Sequence, residues 1–223
     1  MVSQELLNFL SDLKKNNHKE WFHEHKPVYK QVRREFEQYV ALLIAGITQF
    51  DDTVKRLEPR DCIFRINRDI RFSKDKSPYK TNFGAYMAPG GRKGGYAGYY
   101  FHLEPGASFM AGGIYMPSGP NLKAIRKEIY EHTGEFLEIL DEPEFKEHFD
   151  GLDSIEKLKT APQGFPRDFE HIGLLNHKHY TVSEPLSEEL LTSESLTDHL
   201  LSAYEALYPL KYFLNEAIDL NKG

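Results

Sequence analysis

The feature that most constrains this fold is a change of periodicity near residue 62, after which strand-like runs are separated only by short turns. The candidate strands are Asn82–Ala88, Tyr96–Leu103 and Ser108–Met116. The connections between them, Pro89–Gly95 and Glu104–Gly106, have no room for a helical crossover, so neighbouring strands must pair antiparallel. The apolar run Cys62–Ile66, which a charge interrupts, predicts where the sheet begins. We therefore expect an antiparallel sheet over about residues 62–116.

Helical patterns lie on both sides of this predicted sheet. After Pro27, apolar residues recur at three- and four-residue spacing at Tyr29, Val32, Phe36, Val40, Leu43 and Ile47. Asn17 and Glu20 have the spacing of a capping box for a short helix before it. Helices are also expected after Pro120 and from Ser195 to the end. With 40% apolar residues among 223, the chain can form one core, which predicts a single α+β domain spanning residues 1–223.

The sequence favours a cytoplasmic protein without a membrane partner. No run approaches the roughly 18 to 20 apolar residues of a membrane helix, and the N-terminus lacks a basic region followed by an apolar stretch. Cys62 is the single cysteine, so it cannot form an internal disulfide. Its position in an apolar run predicts burial rather than reactivity.

Positive charge is concentrated in one segment of an acidic chain. The net charge is -6, yet residues 60–80 hold seven of the lysines and arginines against three aspartates. The positive members are Arg60, Arg65, Arg68, Arg71, Lys74, Lys76 and Lys80. An acidic surface elsewhere argues against extended nucleic acid as a partner, whereas a local basic segment suits a small anionic ligand.

Three arginines at three-residue spacing, Arg65, Arg68 and Arg71, form the centre of this segment. A guanidinium donates a planar fork of hydrogen bonds that matches phosphate or carboxylate oxygens. Lys76 and Tyr79 add further donors, so these five residues are the predicted ligand-binding set. The alternative is that nearby aspartates pair with the arginines within a solvated turn. Since three arginines exceed two aspartates, we expect positive charge to remain.

The strand that ends at Leu103 carries hydroxyl and imidazole groups. Alternation places Tyr96, Gly98, Tyr100 and His102 on one face of the sheet and Tyr99 on the other. This predicts that Tyr100 lines the ligand cleft and that His102 acts as a general acid or base, although a structural, hydrogen-bonded histidine is the alternative. Asp69 and Tyr79 are weaker catalytic candidates. Arg126 either adds a fourth guanidinium or is an ordinary helix residue.

Metal and cofactor motifs are not apparent in the sequence. His23 and His25 fall on nearly opposite sides of a helix, and His177 and His179 lack an evident third ligand. We therefore predict no metal ligands and name no cofactor. The glycine-rich loop Gly90–Gly95 lacks the spacing of a P-loop, which favours a mobile hairpin tip, and such a tip could fold over a ligand as a lid.

The basic segment also carries a family resemblance. Arg65-x-x-Arg68-Asp69-x-Arg71-Phe72-x-x-Asp75-Lys76-x-x-Tyr79 resembles the signature of the bacterial family called domain of unknown function 2461. The likeness continues in Asn17–Phe22, Ala97–Tyr100, Gly112–Pro117 and Ala161–Pro166, and it spans Asn8 to about Tyr180. The biochemical activity of that family is not established, so the resemblance implies family positions for these residues and no catalytic role.

Three functions therefore remain open. The first is binding of, or catalysis on, a small phosphorylated or carboxylated ligand by the basic segment. The second is phosphodiester hydrolysis in which Asp69 or Asp75 places a metal or a water. In the third, Arg65, Asp69, Arg71 and Asp75 form a buried ion network and the function resides in a protein partner. The sequence leaves the oligomeric state and the ligand open.

Overall fold

A computed structural model describes residues 1–222. Over these residues the chain forms ten α-helices: α1 (Gln4–Lys15), α2 (Lys19–Glu24), α3 (Lys26–Ile47), α4 (Pro59–Cys62), α5 (Gly119–Glu131), α6 (Thr133–Asp141), α7 (Pro143–His148), α8 (Ile172–Leu175), α9 (Glu188–Thr192) and α10 (Leu196–Leu220). It also forms four strands: β1 (Phe83–Met87), β2 (Gly98–Leu103), β3 (Phe109–Ile114) and β4 (Tyr180–Pro185). None of the helices in this part of the chain combines the length and apolarity needed to cross a membrane. The predicted α+β class is confirmed.

The strands form one antiparallel sheet in the order β1-β2-β3-β4. The first three are the predicted strands. The prediction was wrong at Cys62–Ile66, because a capping box between Glu58 and Asp61 starts α4, which takes up Cys62. Only an isolated bridge from Ile63 to Ala85 extends the sheet there. The fourth strand was not predicted.

The N-terminal helices form where the apolar spacing predicts them, but one cap differs. Ser3 caps α1 by accepting from the Leu6 amide at 3.2 Å. The predicted Asn17 cap was wrong, because His18 caps α2. The Asn17 side chain instead bonds both backbone groups of Tyr79, at 2.9 and 3.1 Å. The Asn17 side chain therefore makes a long-range contact instead of capping a helix.

The two faces of the sheet meet different surroundings. Tyr99, Phe101 and Leu103 of β2 are fully buried against helices, whereas Tyr100 and His102 point to the opposite face and are only half-buried. This confirms the predicted alternation along β2. The face with Tyr100 and His102 therefore has access to solvent and can take part in binding.

Helix α10 packs directly on the core face of the sheet. A Cβ at Gly112 of β3 would lie 1.8 Å from Leu207 Cδ2, so the helix approaches to the distance that a glycine permits. The Tyr204 hydroxyl donates to the Tyr100 carbonyl at 2.8 Å. Lys211, also in α10 and 2% exposed, donates to Asp51 Oδ2 at 2.6 Å. One buried cluster includes α1, α3, the sheet and α10.

Two connecting segments are ordered by specific contacts. The Pro89–Gly95 turn contains a short 3-10 helix, and Arg92 donates to the Arg60 carbonyl at 2.6 Å. Gly91 is buried in this turn. The irregular stretch before β4 packs through α8 and through a bridge from Lys157 to His177. Both segments therefore lie against the body of the molecule.

Candidate functional site

The basic segment folds back on itself as a narrow loop. The Arg68 amide donates to the Pro78 carbonyl at 2.9 Å, and the Lys80 amide donates to the Ile66 carbonyl at 2.8 Å. The Tyr79 ring is buried and stacks on Phe22 with centroids 3.9 Å apart. Together with the Asn17 bonds to its backbone, this stacking makes Tyr79 the anchor that holds the loop against α2.

Two of the three arginines pair with aspartates inside the loop. Arg68 binds Asp75 and donates to the Ser77 carbonyl at 3.2 Å. The Arg71 guanidinium donates two hydrogen bonds to the Asp69 carboxylate, at 3.0 and 2.7 Å. Hydrogen bonds from Ser77, assisted by Arg68, hold the pKa of Asp75 well below its usual range. The side chains of Arg71, Asp69 and Asp75 are largely exposed, so these pairs are not a buried network.

The remaining cations of the loop differ in their surroundings. Lys76 is exposed and donates to the Ile70 carbonyl at 3.0 Å, which fixes the loop tip. Lys80 is half-buried, with its Nζ 5.0 Å from the centroid of the Phe64 ring. Burial, together with the charge of Arg65, lowers the pKa of Lys80. Within residues 1–222, neither Arg65 nor Lys80 has a carboxylate partner.

Tyr100, His102 and Glu104 form a chain of hydrogen bonds on the accessible face of the sheet. The Tyr100 hydroxyl lies 2.9 Å from His102 Nδ1, and His102 Nε2 lies 3.3 Å from Glu104 Oε2. An ionised carboxylate only accepts hydrogen bonds, so Nε2 carries the proton. Nδ1 is then the acceptor for the Tyr100 hydroxyl. A hydroxyl, an imidazole and a carboxylate linked in this order can act as a proton relay.

The protonation of this chain follows from its burial. Burial lowers the pKa of His102, so its imidazole is neutral at neutral pH, and Glu104 counters only part of this effect. Burial also raises the pKa of Tyr100 to about 12, with a smaller contribution from the charge of Glu104. Burial alone would raise the pKa of Glu104, but hydrogen bonds from Thr81 and His102 outweigh it and lower that pKa.

Glycine at position 84 makes room for the relay. Gly84 is paired with His102 in the sheet, and a Cβ built on it would lie 2.7 Å from the Tyr100 hydroxyl. The ring of Phe109 stacks on His102 from the other side, with centroids 4.6 Å apart. The positions of the tyrosine and the imidazole are therefore fixed from both sides.

A cleft of about 300 Å³ joins the basic loop to this relay, and we call it the Lys80 cleft. It is lined by Lys14, Asn17, Arg68, Asp75, Ser77, Tyr79, Lys80, Thr81 and Asn82. Glu104 connects the two parts, since it accepts from Thr81 at 2.8 Å and lies 3.6 Å from Lys14 Nζ. A ligand in the cleft would therefore contact cations directly, and the relay is linked to the cleft through the contacts of Glu104 with Thr81 and Lys14.

Arg126 has other neighbours. Its guanidinium donates to the His177 carbonyl at 2.9 Å, and its Nε is buried without a partner among the described residues. It packs beside Tyr180, whose pKa is raised by burial. None of these contacts involves the basic loop, so we leave Arg126 out of the Lys80 cleft.

The sequence indicated the loop and the histidine but missed three contributors. Lys14 and Lys80 were not assigned a role, since nothing local marks a lysine that lacks a partner. Glu104 was treated as part of a turn. It follows His102 by two residues, the spacing of one strand face, and this signal was sufficient to place it beside the imidazole.

Comparison with known proteins identifies a family. The model of a family described as conserved hypothetical protein (DUF2461) matches residues 5–213. No curated protein and no solved structure matches the chain.

Proposed function

Because this chain belongs to the DUF2461 family of conserved hypothetical proteins, whose description names no activity, we propose a function from the site itself: the Lys80 cleft binds a small anionic ligand. The ligand class is a phosphate- or carboxylate-bearing small molecule. A cleft of about 300 Å³ matches the lower end of small-molecule sites.

The observation that carries this proposal is the position of Lys80, a half-buried cation without a carboxylate partner among the described residues. Its ammonium is half-buried, lacks a carboxylate partner within the described residues, and lies near a second unpaired cation, Arg65. Desolvation and like charge both disfavour the charged lysine. A bound anion would offset the cost of desolvation and the repulsion from Arg65. Ligand binding and protonation of Lys80 would therefore favour each other.

The other cations and the polar groups support the same interpretation. Lys14, Arg68 and Lys80 line the cleft, and Asp75 is the carboxylate among the lining residues. Asp75 is already occupied by Arg68 and Ser77. Ser77, Thr81 and Asn82 add neutral donors around the cations. Charge-assisted and neutral hydrogen bonds in one cleft are the usual means of holding a phosphate or carboxylate.

The pairing of the two aspartates argues against one of the functions that the sequence left open. Phosphodiester hydrolysis would need Asp69 or Asp75 to hold a metal or a water, but Arg71 occupies the first and Arg68 and Ser77 occupy the second. We therefore favour anion binding over metal-assisted hydrolysis at this loop.

A thermal-shift experiment tests the proposal. The full chain is melted with phosphate, sugar phosphates, nucleotides or dicarboxylates, each against sodium chloride of equal ionic strength. A ligand at 100 times its Kd adds about 2.7 kcal/mol of stability, which corresponds to roughly 5–10 °C for a chain of this size. Lys80→Gln is expected to abolish the rise.

The matched control is Lys127→Gln, which removes a lysine that pairs with Glu131 on the surface of α5. This variant is expected to keep the full ligand-dependent rise. If no ligand raises the melting temperature of the wild type, or if Lys80→Gln retains the rise, the cleft does not bind anions.

Acid–base catalysis on the bound ligand is a second candidate, favoured by the Tyr100–His102–Glu104 relay. Once a ligand is known, Tyr100→Phe is expected to keep the thermal shift, since the hydroxyl does not line the cleft. The same variant is expected to lose turnover, because the relay loses its terminal proton. Unchanged turnover in Tyr100→Phe would leave the protein as a binding module.

A further inference from the structure

Three side chains from distant parts of the chain meet on the core side of β4. They are His148 at the end of α7, Glu184 in β4 and His199 in α10. His148 Nδ1 lies 3.2 Å from Glu184 Oε2, and His199 Nε2 lies 2.7 Å from Glu184 Oε1. The three potential ligand atoms all lie within 4.8 Å of one another. The three atoms are therefore close enough for small side-chain adjustments to bring them around one ion.

From this cluster we propose that the protein binds one divalent transition-metal ion, with Zn²⁺ as the probe, through His148, Glu184 and His199. Two imidazoles and one carboxylate are a donor set that zinc uses in proteins. Three protein ligands leave one position of a tetrahedral ion for water or another ligand. The site is independent of the Lys80 cleft.

The electrostatic surroundings of Glu184 support this assignment. Its side chain is only 20% exposed, and the side chains of His148 and His199 are 8% and 28% exposed. Within residues 1–222 no lysine or arginine pairs with Glu184, so its contacts are the two imidazoles. A carboxylate removed from water needs positive charge nearby, and a bound cation supplies it.

Ser202 is placed to orient one of the ligands. Its hydroxyl lies 3.2 Å from His148 Nε2, the ring nitrogen that faces away from Glu184. When Nδ1 binds a metal, Nε2 carries the proton and can donate it to the serine oxygen. Metal-binding histidines generally have such a second partner, which fixes their tautomer.

An acidic hollow gives ions a path to the cluster. The hollow has a volume of about 420 Å³ and reaches His148 and Ser202. Its lining also includes Glu142, Glu144, Glu147 and Glu205. Negative side chains around an opening raise the local concentration of cations. This site could not be predicted from the sequence, because its ligands lie in three separated segments without a local spacing motif.

Metal titration tests the site. The full chain is stripped with a chelator and titrated with Zn²⁺ by calorimetry, and the wild type is expected to bind one ion per chain. Glu184→Gln and His199→Gln keep the approximate shape of the side chains but remove a ligand. Each is expected to weaken binding by at least about 100-fold, beyond the effect of changing an outer-shell partner.

The matched control is His132→Gln. This change removes the histidine of a second, more exposed group, Glu128, Glu131 and His132, and it is expected to leave the Zn²⁺ affinity unchanged. The proposal is overturned if the wild type binds no stoichiometric zinc. It is equally overturned if His132→Gln abolishes binding while Glu184→Gln retains it.

X-ray absorption on the zinc-loaded wild type covers the case in which a variant fails to fold. The expected spectrum has nitrogen and oxygen ligands at about 2.0–2.1 Å and the outer-shell scattering of two imidazoles. A sulfur ligand, or an ion without imidazole ligands, would contradict the assignment without reference to any variant.

Discussion

At the scale of single residues, the most consequential charge in the core is that of Lys211. It donates to Asp51 at 2.6 Å and to Thr53 Oγ1 at 2.7 Å, and Asp51 also accepts from the Tyr99 hydroxyl at 2.9 Å. Lys211→Met leaves the carboxylate of Asp51 buried without its cation. We expect the free energy of unfolding to fall by about 3–5 kcal/mol, measured by urea denaturation.

The comparison for this variant is Arg71→Met, which breaks the exposed pair with Asp69. Because solvent screens exposed ion pairs so that they contribute little to stability, we expect a much smaller loss. Equal losses in the two variants would show that burial does not control the strength of these pairs.

The same ion pair predicts a dependence on pH. Burial alone would raise the pKa of Asp51, but hydrogen bonds from Lys211, Thr53 and Tyr99 outweigh it and lower the pKa. A lowered pKa in the folded state gives stability above the pKa of the unfolded chain and loses it as the pH falls through the folded value. The stability difference between wild type and Lys211→Met should therefore shrink as the pH falls from neutral toward the lowered pKa of Asp51, because the buried carboxylate of the variant lacks its cation and takes up a proton first. A constant difference down to acid pH would contradict this.

The imidazole of His102 reports directly on its neighbours. Burial lowers its pKa, Glu104 opposes this shift, and the charge of Lys80 adds to it. We expect Glu104→Gln to lower the pKa of His102 further and Lys80→Gln to raise it, as followed by NMR titration of the ring protons. Shifts in the same direction in both variants would show that the two charges do not act on this ring.

Some properties of the predicted site residues follow from the local sequence pattern, whereas others depend on the tertiary fold. The shared sheet face of Tyr100 and His102 was predicted correctly, because strand alternation assigns faces without knowledge of the partner strands. The interpretation of Tyr79 as a ligand donor could not anticipate its stacking on Phe22, because the two residues are brought together only by the tertiary fold. The tertiary fold also determines that no carboxylate of the described residues pairs with Lys80, so this could not be predicted from the sequence either.

At the scale of elements, the contact between α10 and β3 depends on Gly112. An alanine there would place its Cβ 1.8 Å from Leu207 Cδ2. We expect Gly112→Ala to reduce the free energy of unfolding by about 1–3 kcal/mol, as overpacked cores do. In the double variant with Leu207→Ala, the two losses should be less than additive, because the second change removes the clashing methyl group. Strict additivity would contradict the direct contact.

Gly134 supplies a matched glycine that lacks this constraint. It lies in the first turn of α6, and a Cβ there would meet no atom within 4 Å. Gly134→Ala is expected to stabilise the protein by about 0.4–1 kcal/mol, because alanine loses less backbone entropy on folding. A loss like that of Gly112→Ala would indicate a general intolerance of added methyl groups.

Helices and strands could be predicted from the sequence where a single local pattern of apolar residues covered the whole element. The apolar spacing of α3 and the turn-bounded runs of β1, β2 and β3 are local signals, and all of these elements form. The strand Tyr180–Pro185 escaped prediction because it ends in Pro185 and its partner, β3, lies far back in the chain. The error at Cys62 arose because a four-residue helix competes with a short apolar run for the same residues.

At the scale of the whole molecule, residues from both termini enter one buried cluster with the sheet between them. We predict that the chain unfolds as a single domain. Trp21, the single tryptophan, reports on α2 through its fluorescence, while far-ultraviolet circular dichroism reports on all helices. The two probes should give the same urea midpoint. Separate midpoints would divide the chain into two units.

The order of the strands also affects how the protein is made. The ribosome releases β1, β2 and β3 well before Tyr180–Pro185, and α10, the helix that covers Gly112, follows that strand. At about 5–20 residues per second, the nascent chain holds an open strand edge and an uncovered apolar face for several seconds. Synthesis therefore exposes the core to chaperones and to other nascent chains until β4 and α10 have been made.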